Sequence, residues 1–505
     1  MILQSFGVEY EILEAQPSHI GGRLLTHRFS DGPNDYYDVG AMRFPNTYPM
    51  RRAFDLFHLT FGAPPAEGAD VIDYYLSTPN DILSFNGITV NRKKLKEQGY
   101  QVFQPAIPES YVAQSVQYWL DAKVGYFKQQ LKRDFTSGMK ELQAYDYNST
   151  RQFMHSLHPE LKEELTEYVI NWIETFSSGT SMYDCALTET VMDELDFNYA
   201  PDVSWKAIQG GTNRIALAMA KQLREAEYPT GRILQNKRVQ KISPPPSDGS
   251  GPVSEDVKNR TMLVFVEGEA KPRVYDHVLS TVALGALRLI NLDGCKLSWQ
   301  LRESLRSLQY GPSVKVAIRF THRWWESEIQ NHRSGVTTTD RPTRMIVYPS
   351  YGIGSQDATM IVSYSWSQDA LRLGTLVKGQ GSLAEQRLID LILQDLAEIH
   401  DIPFDDLKSW QVDYHAYNWY DNEFTVGAFA FFGPAQFRKM YQEVTQPAGL
   451  MHLYFAGEAT STNHAWVVGA LDSSVRALEQ IVSSILHISL YFFSTVRLPV
   501  LSARS

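Results

Sequence analysis

The stretch that most constrains this chain is residues 10–23, YEILEAQPSHIGGR. Tyr10, Ile12 and Leu13 read as a short buried strand, and Glu14 closes it. In a doubly wound α/β unit, an acid ending the second strand is where a ribose hydroxyl is held. Gly21, Gly22 and Arg23 follow: glycine lets backbone approach a phosphate, and a guanidinium neutralises it. A plain strand with an acidic end and a glycine turn would use the same residues. The rest of the chain has to decide.

At 505 residues the chain has room for two or three core-forming units. With 43% hydrophobic and 21% charged residues it has an ordinary globular composition. A formal charge of -10 argues against a sequence-independent nucleic-acid binder, so no nucleic-acid partner is expected. Cys185 and Cys295 give neither a disulfide framework nor metal-ligand spacing, and both read as buried or incidental thiols. No metal is expected. The start, MILQSFGVEYEILEA, has no basic segment before an apolar core, so it does not read as a secretory signal. No run reaches the roughly 18–20 apolar residues of a spanning helix, so no membrane span is expected and cytoplasm is the default compartment. Residues 485–500, ILHISLYFFSTVRLPV, are the most apolar segment but contain His487, Arg497 and Pro499. They read as a docked strand or a sticky extension rather than an anchor.

YDVGAMRFP, residues 37–45, has a strand-like start and then Gly40, Ala41, Met42 and Arg43. An arginine beside a glycine suits an anionic ligand, and a surface ion pair is its commoner fate. Residues 50–61 are helical in pattern, and ILSFNGITV reads as a hairpin turning at Asn86-Gly87. Helical spacing dominates residues 110–198, with an N-cap at residues 148–150. The aromatic stripe Tyr118, Trp119, Tyr126 and Phe127 reads as core. SWKAIQGGTNRIALAMAKQL gives a strand, a Gly210-Gly211 turn and a helix from residue 212 or 213. A strand over residues 233–242 and a polar loop over 244–257 come next, then further strands in MLVFVEG and YDHVLSTVALGAL. SVKVAIRF, TRMIVYPS and ATMIVSYSW suggest a second sheet, and residues 379–402 a helix with a long apolar face. An aromatic run, residues 414–434, leads to LYFAGEATSTNHAWVVGALDSSVRA, read as strand, glycine-acid turn, loop and helix.

Taken in order, LEAQPSHIGGR, YDVGAMRFP, KRVQKI, YGPSVKVAIRF and YFAGEATSTNHAWVVGALDSSVRA resemble the motifs of the flavin-containing amine oxidase family, and within it the L-amino-acid oxidases. The resemblance runs through nearly all of residues 8–482. It implies an α/β fold: a Rossmann-like FAD-binding domain whose first strand is absent from this chain, a mixed-sheet substrate domain and a helical subdomain. The expected boundaries are 1–48, 204–292 and 448–484 for FAD binding, and 49–90 and 293–447 for substrate. Residues 91–203 form the helical subdomain and 485–505 an atypical tail. The resemblance also implies noncovalent FAD, held by Glu14 at the ribose and Arg23 at the pyrophosphate, with Gly21 and Gly22 in the turn. Gly40, Ala41, Met42 and Arg43 would pass the flavin edge, Val239 would meet the adenine, and Gly457, Glu458, Trp466 and Val467 would supply the C-terminal flavin motif. A Glu458 at the start of a helix is also favoured by the helix dipole alone.

Substrate choice divides the family. Arg43 matches the arginine that clamps an α-carboxylate, and Tyr364 the hydroxyl that shares it. Trp466 and Trp419 would wall the substrate, although Tyr364 and Trp419 also suit a core. Lys315 would hold a water near the flavin and assist proton movement during reoxidation. The implied reaction is oxidative deamination of an L-amino acid by molecular oxygen, giving a 2-oxo acid, ammonia and hydrogen peroxide. An oxidase of amines lacking a carboxylate is the alternative. A homodimer is the family expectation.

Two departures qualify this. The family opens with a strand and a G-x-G-x-x-G turn, whereas LQSFGVEYEILEA matches only the end of the first helix and the next strand. That first strand is central in a doubly wound sheet, so its neighbours lose partners on both sides. The turn between Glu14 and Gly21 is also one residue longer than usual. The expectation is a functional protein with an N-terminal extension absent here and an altered opposite end. An inactive or FAD-deficient family member is the remaining alternative.

Overall fold

A computed structural model describes residues 1–61, 70–104, 106–156, 164–177, 179–200, 202–225, 232–245, 261–329 and 334–486. Most of the polar loop at 244–257 and the tail from 487 onward lie outside these. The chain divides into two compact units, Met1–Ile20, Met219–Leu308 and Arg438–Ser505 forming one, and Gly21–Ala218 with Gln309–Phe437 the other. Residues 21–48 and 204–218, expected with the FAD-binding segments, group with the second unit, and residues 293–308 and 438–447, expected with the substrate segments, group with the first.

In the first unit the strand Glu11–Leu13 pairs in parallel with Arg232–Leu234, Ile12 opposite Ile233. A second parallel pair joins Val278–Ser280 to Leu453–Phe455. Among the described residues these are two separate two-stranded sheets. The opening strand is therefore less buried than its sequence suggests, with Ile12 39% exposed. A parallel strand is buried when neighbours and helices cover it on all sides, and this one has a single partner. The strand expected over residues 233–242 is also interrupted. It stops at Leu234, Asn236 turns with φ +57°, and Val239–Ser243 joins an antiparallel sheet with Met262–Val266 and Arg273–Tyr275. That turn lets Lys237 N–H donate to the Glu14 carbonyl at 2.8 Å. The helix Val467–Leu486 packs Ala477 and Ile481 on Tyr454 and Ala456.

The second unit is built on a seven-stranded sheet. Its order is Gln411–Asn418, Ser313–Phe320, Thr359–Trp366, Met345–Tyr348, Gly335–Thr339, Ile82–Phe85 and Ile88–Asn91. The last two form the expected hairpin, with Asn86 and Gly87 at φ +52° and +78°, as a two-residue turn requires. The helix Leu383–His400 lays Leu388, Ile392, Leu393 and Leu396 against Val314, Val316, Ile318 and Val362. A second core gathers the helices of the 110–198 region, including Val116–Arg133, Glu167–Ser177 and Leu187–Phe197. Ser149 and Gln152 cap the short helix Thr150–His155 reciprocally. Half of the aromatic stripe turns outward: Trp119 and Phe127 are core, whereas Tyr118 and Tyr126 are 47% and 51% exposed. Adjacent helical residues point about 100° apart, so a run of neighbouring aromatics cannot share one face. A small antiparallel sheet pairs Trp205–Ile208 with both Phe44–Pro45 and Val71–Tyr74. Trp205 lies opposite Pro45 on one side and Tyr74 on the other, and Lys206 opposite Phe44 and Asp73.

Candidate active site

The second unit brings together the glycine turns and the Lys315 strand. Val39 and Gly40 N–H donate to the Leu25 carbonyl, and Ala41 N–H to that of Arg23. The approach is so close that a Cβ at Gly40 would sit 1.7 Å from the Arg23 carbonyl oxygen. Gly21 and Gly22 adopt φ of +111° and +57°, which side-chain-bearing residues avoid. Arg23 itself donates to the Ala428 carbonyl at 2.9 Å and lies over the Tyr310 ring.

Lys315 sits in the strand Ser313–Phe320, directly opposite Tyr364 of Thr359–Trp366. Cross-strand neighbours share a sheet face, and the ammonium lies 4.7 Å from the Tyr364 ring centre. Its Nζ donates to the carbonyls of Asp38 at 2.9 Å and Gly40 at 2.7 Å, and faces Met42 Sδ at 3.5 Å. Burial pushes its pKa down to about 7, with Asp38 pulling it back up and Arg43 adding to the fall. Asp38, also buried, has its carboxyl raised by burial. The Thr26 and Thr212 hydrogen bonds and the Lys315 charge oppose that rise. Lys315 therefore changes charge near neutrality, far from an ordinary lysine.

Arg43 enters just before the Phe44–Pro45 strand. That strand's neighbour brings Trp205, and the next one brings Tyr74, opposite Trp205. The guanidinium lies 5.0 Å from the Phe197 ring and 5.8 Å from the Trp205 ring. Its Nη1 is buried with no hydrogen-bond partner among the described residues, and so is the Tyr74 hydroxyl. Burial raises Tyr74, and Arg43 offsets part of that rise through its charge and a side-chain contact with the hydroxyl. Tyr364 is raised by burial too, opposed by Arg43 and reinforced by Tyr74 and Asp193. Arg43, Tyr74, Tyr364 and Asp193 thus form one electrostatic neighbourhood. A buried donor left unpaired costs about 1–3 kcal/mol, which an anion would recover. Trp419 is 3% exposed, and its indole N–H is committed to the Val39 carbonyl at 3.1 Å, so it offers only ring faces.

The remaining expected residues lie in the first unit. The Glu14 carboxylate accepts from Gln16 N–H at 2.8 Å, and burial raises its pKa. Val239 opens its strand. Gly457 takes φ +137°, with nothing within 4 Å of where a Cβ would stand, and its N–H donates to Ser473 Oγ. Glu458 is 4% exposed and accepts from Ala465 N–H at 3.0 Å. Trp466 follows Ala465, itself at φ +64°, and Val467 begins the long helix. Asp193, Tyr74, Phe197 and Trp205 were not singled out in the sequence. Asp193 lies in TETVMDELD, which reads as a solvated acidic helix face, and only the small three-stranded sheet brings Tyr74 and Trp205 to Arg43.

The chain is 37% identical to L-amino-acid oxidase 4 of Hebeloma cylindrosporum, covering 95% of this chain and 78% of that protein. It is also 37% identical to a Dictyostelium discoideum protein named as a bifunctional amine oxidase, of whose length it spans 44%. In fold it is similar to a putrescine oxidase, TM-score 0.66 at 15% identity, covering 96% of this chain and 95% of that one. It is likewise similar to the cyclohexylamine oxidase of Brevibacterium oxydans, TM-score 0.65 at 14% identity, covering 96% and 94%. The family of flavin containing amine oxidoreductases matches residues 2–482, and the chain belongs to it.

Proposed function

We propose that this enzyme oxidatively deaminates L-amino acids: amino acid, oxygen and water give 2-oxo acid, ammonia and hydrogen peroxide. The observation that carries this is the buried Nη1 of Arg43, which has no hydrogen-bond partner of good geometry among the described residues, beside the Tyr74 hydroxyl in the same condition. A substrate without a carboxylate would leave both donors unpaired. An α-carboxylate would accept from Arg43 in charge-assisted bonds, with Tyr74 and Tyr364 as hydroxyl partners. Phe197 and Trp205 keep water from the guanidinium and so strengthen those bonds.

The chain suits the flavin of its family. A Cβ at Gly40 would meet the Arg23 carbonyl, and Gly457 holds a φ of +137° that favours glycine; both lie in segments expected to hold FAD. Each unit carries residues of the kind that would hold it: Gly21, Gly22, Arg23 and Gly40 to Arg43 in the second, and Glu14, Val239, Gly457, Glu458, Trp466 and Val467 in the first. Bound noncovalently, FAD supplies the hydride acceptor, and its reoxidation by oxygen yields the peroxide. Both cysteines are buried, with thiols raised by burial, Cys295 to about 11, and neither suits a covalent link.

The substrate amine must be neutral to release hydride from Cα. Arg43 fixes the carboxylate and hence the orientation of Cα. Lys315, with a pKa of about 7, can hold a water and pass a proton in either direction near neutral pH. The test is peroxide release from a panel of L-amino acids and simple amines by the flavin-loaded chain, with Arg43→Ala alongside. Amino-acid turnover lost in the variant supports the reading. Turnover of amines alone, indifferent to Arg43, would overturn it.

A further inference from the structure

The helix Leu187–Phe197 carries four acids, and its geometry separates Asp193 from others with structural work to do. Glu189 accepts from Phe432 N–H at 2.5 Å. Glu194 pairs with Lys128 at 3.3 Å and accepts from Gln117 and Asn198 at 3.1 and 3.0 Å. Asp196 is buried at 1% exposure. The Asp193 carboxylate enters no hydrogen bond and no ion pair among the described residues. It stands one helical turn before Phe197, so the two share a face, and Phe197 is the ring packed on Arg43.

That face thus brings its carboxylate, with no hydrogen bond or ion pair among the described residues, into the neighbourhood of a guanidinium whose buried Nη1 is likewise unpaired among them. The two feel each other's charge yet are not an ion pair. The Tyr74 hydroxyl, in a residue 8% exposed, is a third unsatisfied group in the same neighbourhood. Asp193 keeps partial solvent exposure, but its carboxyl is packed deeply enough that desolvation, helped by Glu194, raises its pKa to about 7 against the pull of Arg43. An acid in that condition takes up a proton or is met by a cation, and a cationic ligand favours the charged form.

We infer that Asp193 is a specificity-determining residue that receives a positively charged group at the far end of the substrate side chain, making this an oxidase with a preference for dibasic L-amino acids. The inference rests on the proposal that Arg43 takes the α-carboxylate. Asp193 is matched to the distal group rather than the α-nitrogen for a chemical reason. A carboxylate at the α-nitrogen would stabilise its protonated form, which cannot release hydride. At a distal ammonium or guanidinium it stabilises the charge without touching the reacting centre. A neutral side chain leaves Asp193 uncompensated, and sites with an unpaired polar group discriminate strongly against ligands that fail to pair it.

The test compares L-lysine with L-norleucine, which lacks only the distal ammonium. The readouts are kcat/KM from peroxide release and affinity from anaerobic calorimetry, for the full chain and for D193N. The expected result is a preference for lysine of about tenfold or more, with the lysine-to-norleucine ratio falling by about tenfold or more in D193N. The ratio is the readout, so a general loss of activity does not mimic the effect. Equal handling of the two ligands by the wild-type chain would overturn the inference and does not depend on the variant folding. An equal loss for both ligands in D193N would also overturn it, assigning Asp193 to the α-nitrogen or to stability. Binding and turnover of amines but of neither amino acid would instead defeat the Arg43 reading on which it rests.

Discussion

Replacing Lys315 by Met tests whether this lysine is poised near neutrality. The side chains are similar in length, and the change removes one charge. A fall from the ordinary 10.5 to about 7 corresponds, at about 1.4 kcal/mol per pKa unit, to about 5 kcal/mol as an upper bound. The folded chain releases this proton near pH 7 and the unfolded chain near pH 10.5, so between those values the unfolded state binds more protons. Stability therefore rises with pH across the window: the burial cost is fully present below about 7 and gone above about 10.5. The variant never incurs it. Against this, the Asp38 and Gly40 carbonyls each lose a donor, at about 1–3 kcal/mol apiece. The net shift in midpoint at any one pH can thus be small, and the slope is diagnostic. Asp38 loses a compensating charge and perturbs the acid side, so the comparison belongs above about pH 7. Thermal midpoints of both proteins, followed to about pH 10, should show the wild type gaining on the variant as pH rises. Parallel curves would mean that Lys315 stays charged in the folded chain, and its assignment as a two-way proton carrier would fail.

Two further substitutions probe the geometry around it. Gly40→Ala would place a Cβ 1.7 Å from the Arg23 carbonyl, a backbone atom that cannot swing aside. Overpacking of this kind costs about 1–3 kcal/mol or more, so the melting midpoint should fall, together with flavin absorbance in the purified protein. An unchanged midpoint would show that the two turns are not tightly apposed. Tyr74→Phe removes a buried hydroxyl that has no hydrogen-bond partner of good geometry among the described residues. It should raise the midpoint of the ligand-free chain, by about 1 kcal/mol in stability, while weakening amino-acid binding by about 1.5–3 kcal/mol. Opposite signs in calorimetry and thermal unfolding mark a group reserved for ligand; a loss in both would mark a structural tyrosine.

Local pattern foretold the elements well and burial poorly. SVKVAIRF alternates polar and apolar residues, and the strand Ser313–Phe320 is where that alternation puts it. Alternation ordinarily means one wet face, yet seven of its eight residues are buried. Lys315 is therefore not a surface lysine but a desolvated one, which follows from the strands on either side and not from its own segment. Ile12 errs in the other direction, apolar in sequence and 39% exposed because its strand has one partner. In both cases a strand's periodicity reports which residues share a face, and its neighbours in the sheet decide whether that face is dry.

The site follows the same logic at longer range. Arg43 is recognisable from GAMRFP, but its surroundings come from residues near 74, 193–197 and 205, joined by a small sheet and by one helix packed into a core. The acids of TETVMDELD look interchangeable in sequence. Each acquires its role from what it meets, Glu194 from Lys128, Glu189 from the backbone at Phe432, and Asp193 from the absence of either. A motif can therefore name the group that holds the end common to every substrate, because that group travels with its own glycine turn. The residue that chooses among substrates has no such turn to announce it. It has to be found as the half-buried carboxylate that the fold leaves without a hydrogen bond or ion pair among the described residues, and Asp193 is that residue.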